Sequence, residues 1–430
     1  MRAQLSDAGP AAANGGMSRR RTIALAALAA LLLMLALSLR WVSRPERVAT
    51  LILDAVGQSL GLEITASGSS EYRLRGSPVL VVRDIAVRAP GASTALLRAE
   101  RVYLSLPWST IRARGADLVV HRLELDGPVL DLAALQRWRA TRPPAAETRI
   151  PTLDDGLEIV RGRVIGTGWS IDRLALSLPS LAPDAAVAAH IDARLQVGST
   201  TVPFDLHVAL TEPGVDAGIG AVGMATITTA GWRMPMRLKL SGRLRADQAG
   251  VGLDRLKLGA HARHIAGDSQ TPFVYGLAGQ LRYRDRRLAI TPLGAAVRGH
   301  DKIPTLDARG EFAWQDTVAL ELAGALAQWP AAWPALPAPI GASDSALPFA
   351  LGYRGRADLS GDTGLQLRRG ATRFDGRFRV PEVLAWIEAA ATGTPLPPID
   401  GRLTTPTLEI AGATLHGVEI TIDDTAGDGE

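Results

Sequence analysis

Seven histidines, a few adjacent acids and no cysteine are what this 430-residue chain offers for catalysis or metal binding. Only His261 and His264 lie close together, in LGAHARHIAG. Side chains alternate across a strand, so on a strand these two face opposite sides and cannot share a metal. On a helical turn they could, but no third ligand stands nearby. Without cysteine there are no disulfides, no thiolate metal sites and no cysteine nucleophile. Asp154 with Asp155 and Asp423 with Asp424 are adjacent acids in turn-rich segments, where acids are ordinarily solvated and do no chemistry. There is no GxSxG, no HExxH, and no glycine-rich loop that follows a strand and opens a helix. The recurrent glycines fall at strand boundaries and suit turns and bulges, not phosphates. The expectation is a protein that is not an enzyme and uses neither a cofactor nor a metal.

The elements around these residues say more. With 47% hydrophobic residues the chain can bury a substantial core, in one large or two or three ordinary domains. Its net charge of +4 is local, because residues 1–44 hold six arginines against one aspartate. The remainder carries 41 basic and 42 acidic residues, so it has no basic surface of the kind that binds nucleic acid.

Thr22 to Val42, TIALAALAALLLMLALSLRWV, has no charge, proline or glycine from Thr22 to Leu39. A helix rising about 1.5 Å per residue nearly crosses a hydrocarbon core of roughly 30 Å over that length. The run is longer than a signal-peptide core and passes into Arg40, Trp41 and Arg44 without a small-x-small cleavage site, so it reads as an anchor. Arg19, Arg20 and Arg21 place its start in the cytoplasm, Trp41 sits at the outer interface, and everything from Pro45 lies beyond the membrane. The organisation expected is a cytoplasmic tail (1–18), the anchor (19–42), an amino-terminal module (43–135), a linker or loop (136–152), an extended β-region (153–424) and a tail (425–430).

Pro45 opens a helix in which Val48, Leu51, Ile52, Ala55, Val56 and Leu60 recur at helical spacing until Gly61. It suits a cap on the following sheet better than a lipid-binding helix, since it has no strongly basic face. From Leu62 the period changes to two. Val202, Phe204, Leu206, Val208 and Leu210 lie on one face of their strand, with Asp205 and His207 on the other. Met236, Leu238, Leu240 and Leu244 oppose Arg237, Lys239, Arg243 and Arg245. Phe374, Phe378 and Val380 oppose Arg373, Asp375, Arg377 and Arg379.

The fold class expected is mainly β: an N-terminal transmembrane helix, then a long curled antiparallel sheet of roughly fifteen strands with a few amphipathic helices. Val380 to Ala391 is the clearest of those helices. Periodicity leaves two arrangements open, an apolar face left as a groove or a sheet closed on itself as a sandwich or barrel. Leu326 to Gly341, with Trp329 and Trp333 among four prolines, reads as a lid, a membrane-interface loop or a connection packed on the sheet.

The order of parts resembles the amino-terminal region of AsmA-like proteins of Gram-negative envelopes. The motifs are a membrane helix, an amphipathic helix ending in LGLEITASG, then SPVLVVRDIAV, LLRAERVYLSLPWSTI and LVVHRLELDGPVLDL, with IDGRLTTPTLEIAGATLHGVEITIDD near the other end. The resemblance implies a taco-like β-groove in the periplasm, anchored in the inner membrane and acting in outer-membrane biogenesis. It also implies phospholipid as cargo and an outer-membrane or periplasmic protein as partner. The groove candidates are Val202, Phe204, Leu206, Val208, Leu210, Met236, Leu238, Leu240, Phe374 and Phe378. The alternative is a non-transporting periplasmic scaffold or assembly factor, such as a type II secretion accessory protein.

Overall fold

The computed structural model describes residues 61–423, together with Leu53 and Gly57. Within 61–423 it omits 74, 113–118, 142–149, 215, 247–249, 301, 331, 334–335, 337–339, 342, 344, 390–397 and 411–412. The expected tail 1–18, the anchor 19–42 with Arg19, Arg20, Arg21 and Trp41, most of the helix at 45–60, the centre of the linker and the tail 425–430 lie outside the described residues. Among the described residues, no helix is long and apolar enough to cross a membrane.

The chain is mainly β, and 22 strands join one long curved sheet. Its first part contains β1 (Glu63–Ala66), β2 (Ser70–Arg73), β3 (Val79–Arg88) and β4 (Ala95–Ser105), then β5 (Val119–Val120), β6 (Arg122–Asp126), β7 (Val129–Asp131) and β8 (Thr152–Leu153). Next come β9 (Leu157–Ile165), β10 (Trp169–Leu178), β11 (Val187–Val197), β12 (Thr200–Leu210), β13 (Gly218–Thr228), β14 (Arg233–Ala246), β15 (Gly250–Ala266) and β16 (Ser269–Arg284). The last part holds β17 (Arg287–Arg298), β18 (Thr305–Trp314), β19 (Val318–Gln328), β20 (Leu347–Gly355), β21 (Asp362–Arg369), β22 (Thr372–Arg379), β23 (Ile399–Ile410) and β24 (Ala413–Ile422). The helices are α1 (Trp108–Arg112), α2 (Leu132–Ala140) and α3 (Val380–Ala389).

From β9 to β24 each strand pairs antiparallel with the next in sequence. Short polar turns are all such a meander needs, which is why the sequence reads as apolar runs broken by glycine and polar residues. At the other end β1 and β2 share one edge of β3, and β3 pairs with β4. On the far side of β4 lie β6 and β7, which pair parallel with β9. The sheet therefore runs unbroken past residues 136–152. Gly127 and Pro128 separate β6 from β7: Gly127 is left-handed (φ 58°), while Arg163 N–H donates to the Pro128 carbonyl at 2.7 Å, keeping the edge in register. The helix after it, α2, starts with the Asp131 carboxylate accepting from the Ala134 N–H at 2.8 Å as an N-cap.

Register shifts explain why the period-two pattern is clean in some strands only. On β10 the apolar residues are Ile171, then Leu174 and Leu176; on β15 they are Leu253, then Leu256 and Leu258. Each change of parity coincides with a bulge, and a left-handed arginine sits there, Arg173 (φ 56°) and Arg255 (φ 52°). Arg161 (φ 57°) does the same on β9. The extra residue returns the apolar side chains to one face and adds bend and twist, which a sheet this long requires.

Glycines set the close approaches between strands. A Cβ on Gly324 would overlap the Asp307 carbonyl oxygen, whereas one on Gly220 would meet nothing within 4 Å. Gly324→Val should therefore lower the midpoint of chemical unfolding by the equivalent of about 2 kcal/mol or more, while Gly220→Ala should change it by less than about 0.5 kcal/mol.

Candidate functional site

The register aligns the apolar residues of neighbouring strands into rows that cross most of the sheet. In one row, Val82, Val102, Leu125, Ile159, Leu176, Ile191, Leu206, Gly223, Leu238, Ala260, Tyr275, Val297, Leu306, Leu326 and Leu347 stand opposite one another in turn. A second begins at Ala189, Val208, Ala221 and Leu240 and ends at Leu367, Phe374, Leu403 and Ile420. Neither contains a charge. At about 4.8 Å per strand, each extends for some 60–70 Å.

The sequence candidates all join such rows. Leu206 and Leu238 lie in the first, Val208, Leu240 and Phe374 in the second. Phe204 and Met236 alternate with Ala193, Ala225 and Ala262, so each large side chain has room to lie over small neighbours. Val202 continues a row from Val164, Ile171 and Leu195, and Leu210 stands between Val187 and Ile219. Phe378 lies between Thr363 and Ile399. Most of these residues are half-buried; Met236 is fully buried.

Hydrophobic contacts on this face run sideways between consecutive strands. One cluster gathers Ala225, Met236 and Ala262 with Phe204, Leu238 and Tyr275; another gathers Leu256, Ile290 and Leu293 with Leu240, Leu277 and Phe312. The Tyr275 hydroxyl donates to the Met236 Sδ at 3.0 Å, and burial raises its phenol pKa.

Cover is present at both ends of the sheet. Leu53 packs against Leu80, Val82 and Ile85 on β3. At the other end Trp329, Leu336 and Ile340 pack on the sheet. Ile340, 1% exposed, enters a cluster with Leu326, Leu347, Phe349, Leu367 and Leu403, and Trp329 packs against it. Trp333 meets Trp329 edge-on at 5.0 Å and donates from Nε1 to the Lys302 carbonyl at 3.0 Å. A cavity of about 570 Å³ remains between this connection and β19–β20, with Leu326, Trp329, Ile340 and Arg369 in its lining. Phe374 lies across Gly376 and Gly401, where an added Cβ would come within 2.7 and 2.8 Å of its ring.

The opposite face is charged. Arg245 reaches Asp254 at 2.8 Å and Arg282 pairs with the same carboxylate, while Arg298 holds Asp307 at 2.7 Å. The hydrogen bonds from Arg245 and then Arg282 hold the Asp254 carboxyl below the usual carboxylate range. A depression of about 960 Å³ lies against β18–β24 and is lined by Arg309, Glu311, Glu321, Asp375, Arg377 and Arg402 among others. His261 and His264 lie on a strand, β15, and stand opposite Val274 and Thr271. A different grouping was missed by sequence reasoning: His190 meets Asp205 at 2.9 Å and stacks on His207 at 4.5 Å. His190 and His207 are equidistant from the Gly198–Ser199 turn, a signal visible only once that hairpin is recognised.

No family model, curated protein or solved structure matches the chain. The resemblance to AsmA-like proteins rests on its motifs alone.

Two measurements check the apolar face. Ile340→Ala should destabilise the carboxy-terminal part of the sheet by about 2–5 kcal/mol, seen as a lower unfolding midpoint and new dye-accessible apolar surface. For Tyr275, a raised folded pKa means that its stability contribution is complete below about pH 10 and is lost as pH rises through the folded value. Difference spectra of wild type and Tyr275→Phe should therefore show a phenol that ionises above about pH 10.

Proposed function

We propose that this chain is an inner-membrane-anchored periplasmic protein whose curved sheet holds or passes phospholipid acyl chains along its apolar face. The supporting observation is the charge-free row from Val82 to Leu347, built laterally and only half-buried over its central strands. Apolar surface of this extent favours a greasy ligand, at about 0.8 kcal/mol per CH₂ removed from water. An acyl chain lying across one strand pair meets nearly the same surface on the next, so no charged step obstructs movement along the row. Headgroups remain at the polar strand ends. Movement is passive, since the chain offers no nucleotide-binding motif.

In this reading residues 19–42 are the anchor, Arg19, Arg20 and Arg21 hold its cytoplasmic end, and Trp41 marks the outer interface. Trp329 and Trp333 serve the sheet as part of its cover. The likeness to AsmA-like proteins points to the same role in envelope biogenesis.

A second reading, the non-transporting scaffold, draws on β24, whose outer side pairs with no other strand among the described residues and whose Leu415 is 46% exposed. Such an edge can accept a strand from a protein partner.

The test uses full-length protein purified from its own membranes, with native mass spectrometry and lipid extraction. Phospholipid should co-isolate at near-stoichiometric level, and a photocrosslinker at Val208 or Leu240 should capture it while one at Lys239 on the charged face should not. Leu206→Asp with Leu238→Arg should cut bound lipid by about tenfold. A stable, lipid-free protein with silent groove substitutions would overturn the proposal, and loss of activity on placing proline in β24 alone would then favour the scaffold.

A further inference from the structure

On the charged face of the β11–β12 hairpin, His190 and Asp192 stand directly opposite His207 and Asp205. Like residues thus face like across the strands, imidazole to imidazole and carboxylate to carboxylate. Two carboxylates at directly opposite positions disfavour one another. Among the described residues no arginine or lysine forms an ion pair with either acid, and the partner of Asp205 is His190, Nε2 to Oδ1 at 2.9 Å. Arg194 stands one row away on the same face, and Arg237 and Lys239 stand two strands away, beyond Met224 and Val222.

We infer that His190, Asp205 and His207 form a surface site for a divalent transition metal of the zinc or copper type. Donor atoms of the three residues all lie within 4.8 Å of one another. Ligands bound at about 2.0–2.2 Å in tetrahedral geometry lie roughly 3.3–3.6 Å apart, so rotation of half-exposed side chains suffices to close the site. Two imidazoles and one carboxylate are the donor set that such ions take, and neither the alkaline earths nor a soft thiolate-seeking ion matches it as well. Asp192, opposite Asp205 in the register, is a further carboxylate on the same face. The cation would enter between His190 Nε2 and the Asp205 carboxylate in place of their hydrogen bond and neutralise the facing acids. Since the ligands come from both strands, binding also clips β11 to β12 directly behind Ile191, Leu206 and Val208.

The experiment is titration of the full-length, detergent-solubilised chain, purified without a histidine tag, with Zn²⁺ and with Cu²⁺. Calorimetry should give one equivalent bound at micromolar or tighter affinity, and the Cu²⁺ spin-resonance signal should show coupling to imidazole nitrogen. His190→Gln and His207→Gln should each weaken binding about tenfold or more, whereas His261→Gln with His264→Gln should leave it unchanged. Circular dichroism confirms that each variant keeps its sheet. The wild-type spin-resonance signal tests the site even if a variant fails to fold. Absence of a bound equivalent, a Cu²⁺ signal without nitrogen coupling, or equal affinity in wild type and the two single variants would overturn the inference.

Discussion

A sheet only one layer thick can satisfy its backbone completely yet leave half of its side chains without a facing layer. Every N–H and C=O within a strand finds a partner on its neighbours, so hydrogen bonding sets no limit on how many strands are added. The apolar face sets the limit. Here the large side chains of one strand lie against the next strand, as Phe204 and Met236 do over the alanines between them. Such packing leaves many large side chains, Phe204, Leu206 and Leu238 among them, half-buried, while Met236, Leu256 and Leu293 become buried.

Keeping the apolar side chains on one face over so many strands requires correction. A single inserted residue sends every later side chain to the other side. The left-handed arginines at 161, 173 and 255 absorb such insertions, and all three are exposed on the charged side. Arginine at a left-handed position is costly by comparison with glycine, so these bulges are retained against their backbone preference. Their gain is curvature and an unbroken apolar face.

The strands that were easiest to read, β12, β14 and β22, are those whose large apolar residues keep to one parity, with charges on the other and no bulge in their own chain. Those that were hard to read fail in two ways. β13, GIGAVGMATIT, carries small residues on its apolar face and exposes Val222 and Met224 on the other, so its alternation is inverted in hydropathy. β10 and β15 change parity halfway. Together with a very short strand such as β2, this explains why about fifteen strands were expected and 22 join the sheet. The candidate face was legible because burial is periodic. The rows were not, because register between strands depends on hairpin turns and bulges that no single strand reveals. His190 and Asp205 illustrate the same gap, fifteen positions apart in sequence and in contact across one turn.

Stability in such a sheet is local. The exposed ion pairs of the charged face, Arg298 with Asp307 among them, each contribute little in water, and the lateral apolar contacts bind a strand only to its neighbours. Energetically this is close to a repeat array, in which one strand pair can loosen while distant pairs remain intact. A ligand that covers apolar surface stabilises the strands it touches and no others, so it gains about the same free energy at successive positions along a uniform row. Uniformity of the row, more than depth of any one pocket, is therefore the property that would let a lipid move. Around Ile340, where the sheet carries a packed cluster, that uniformity stops.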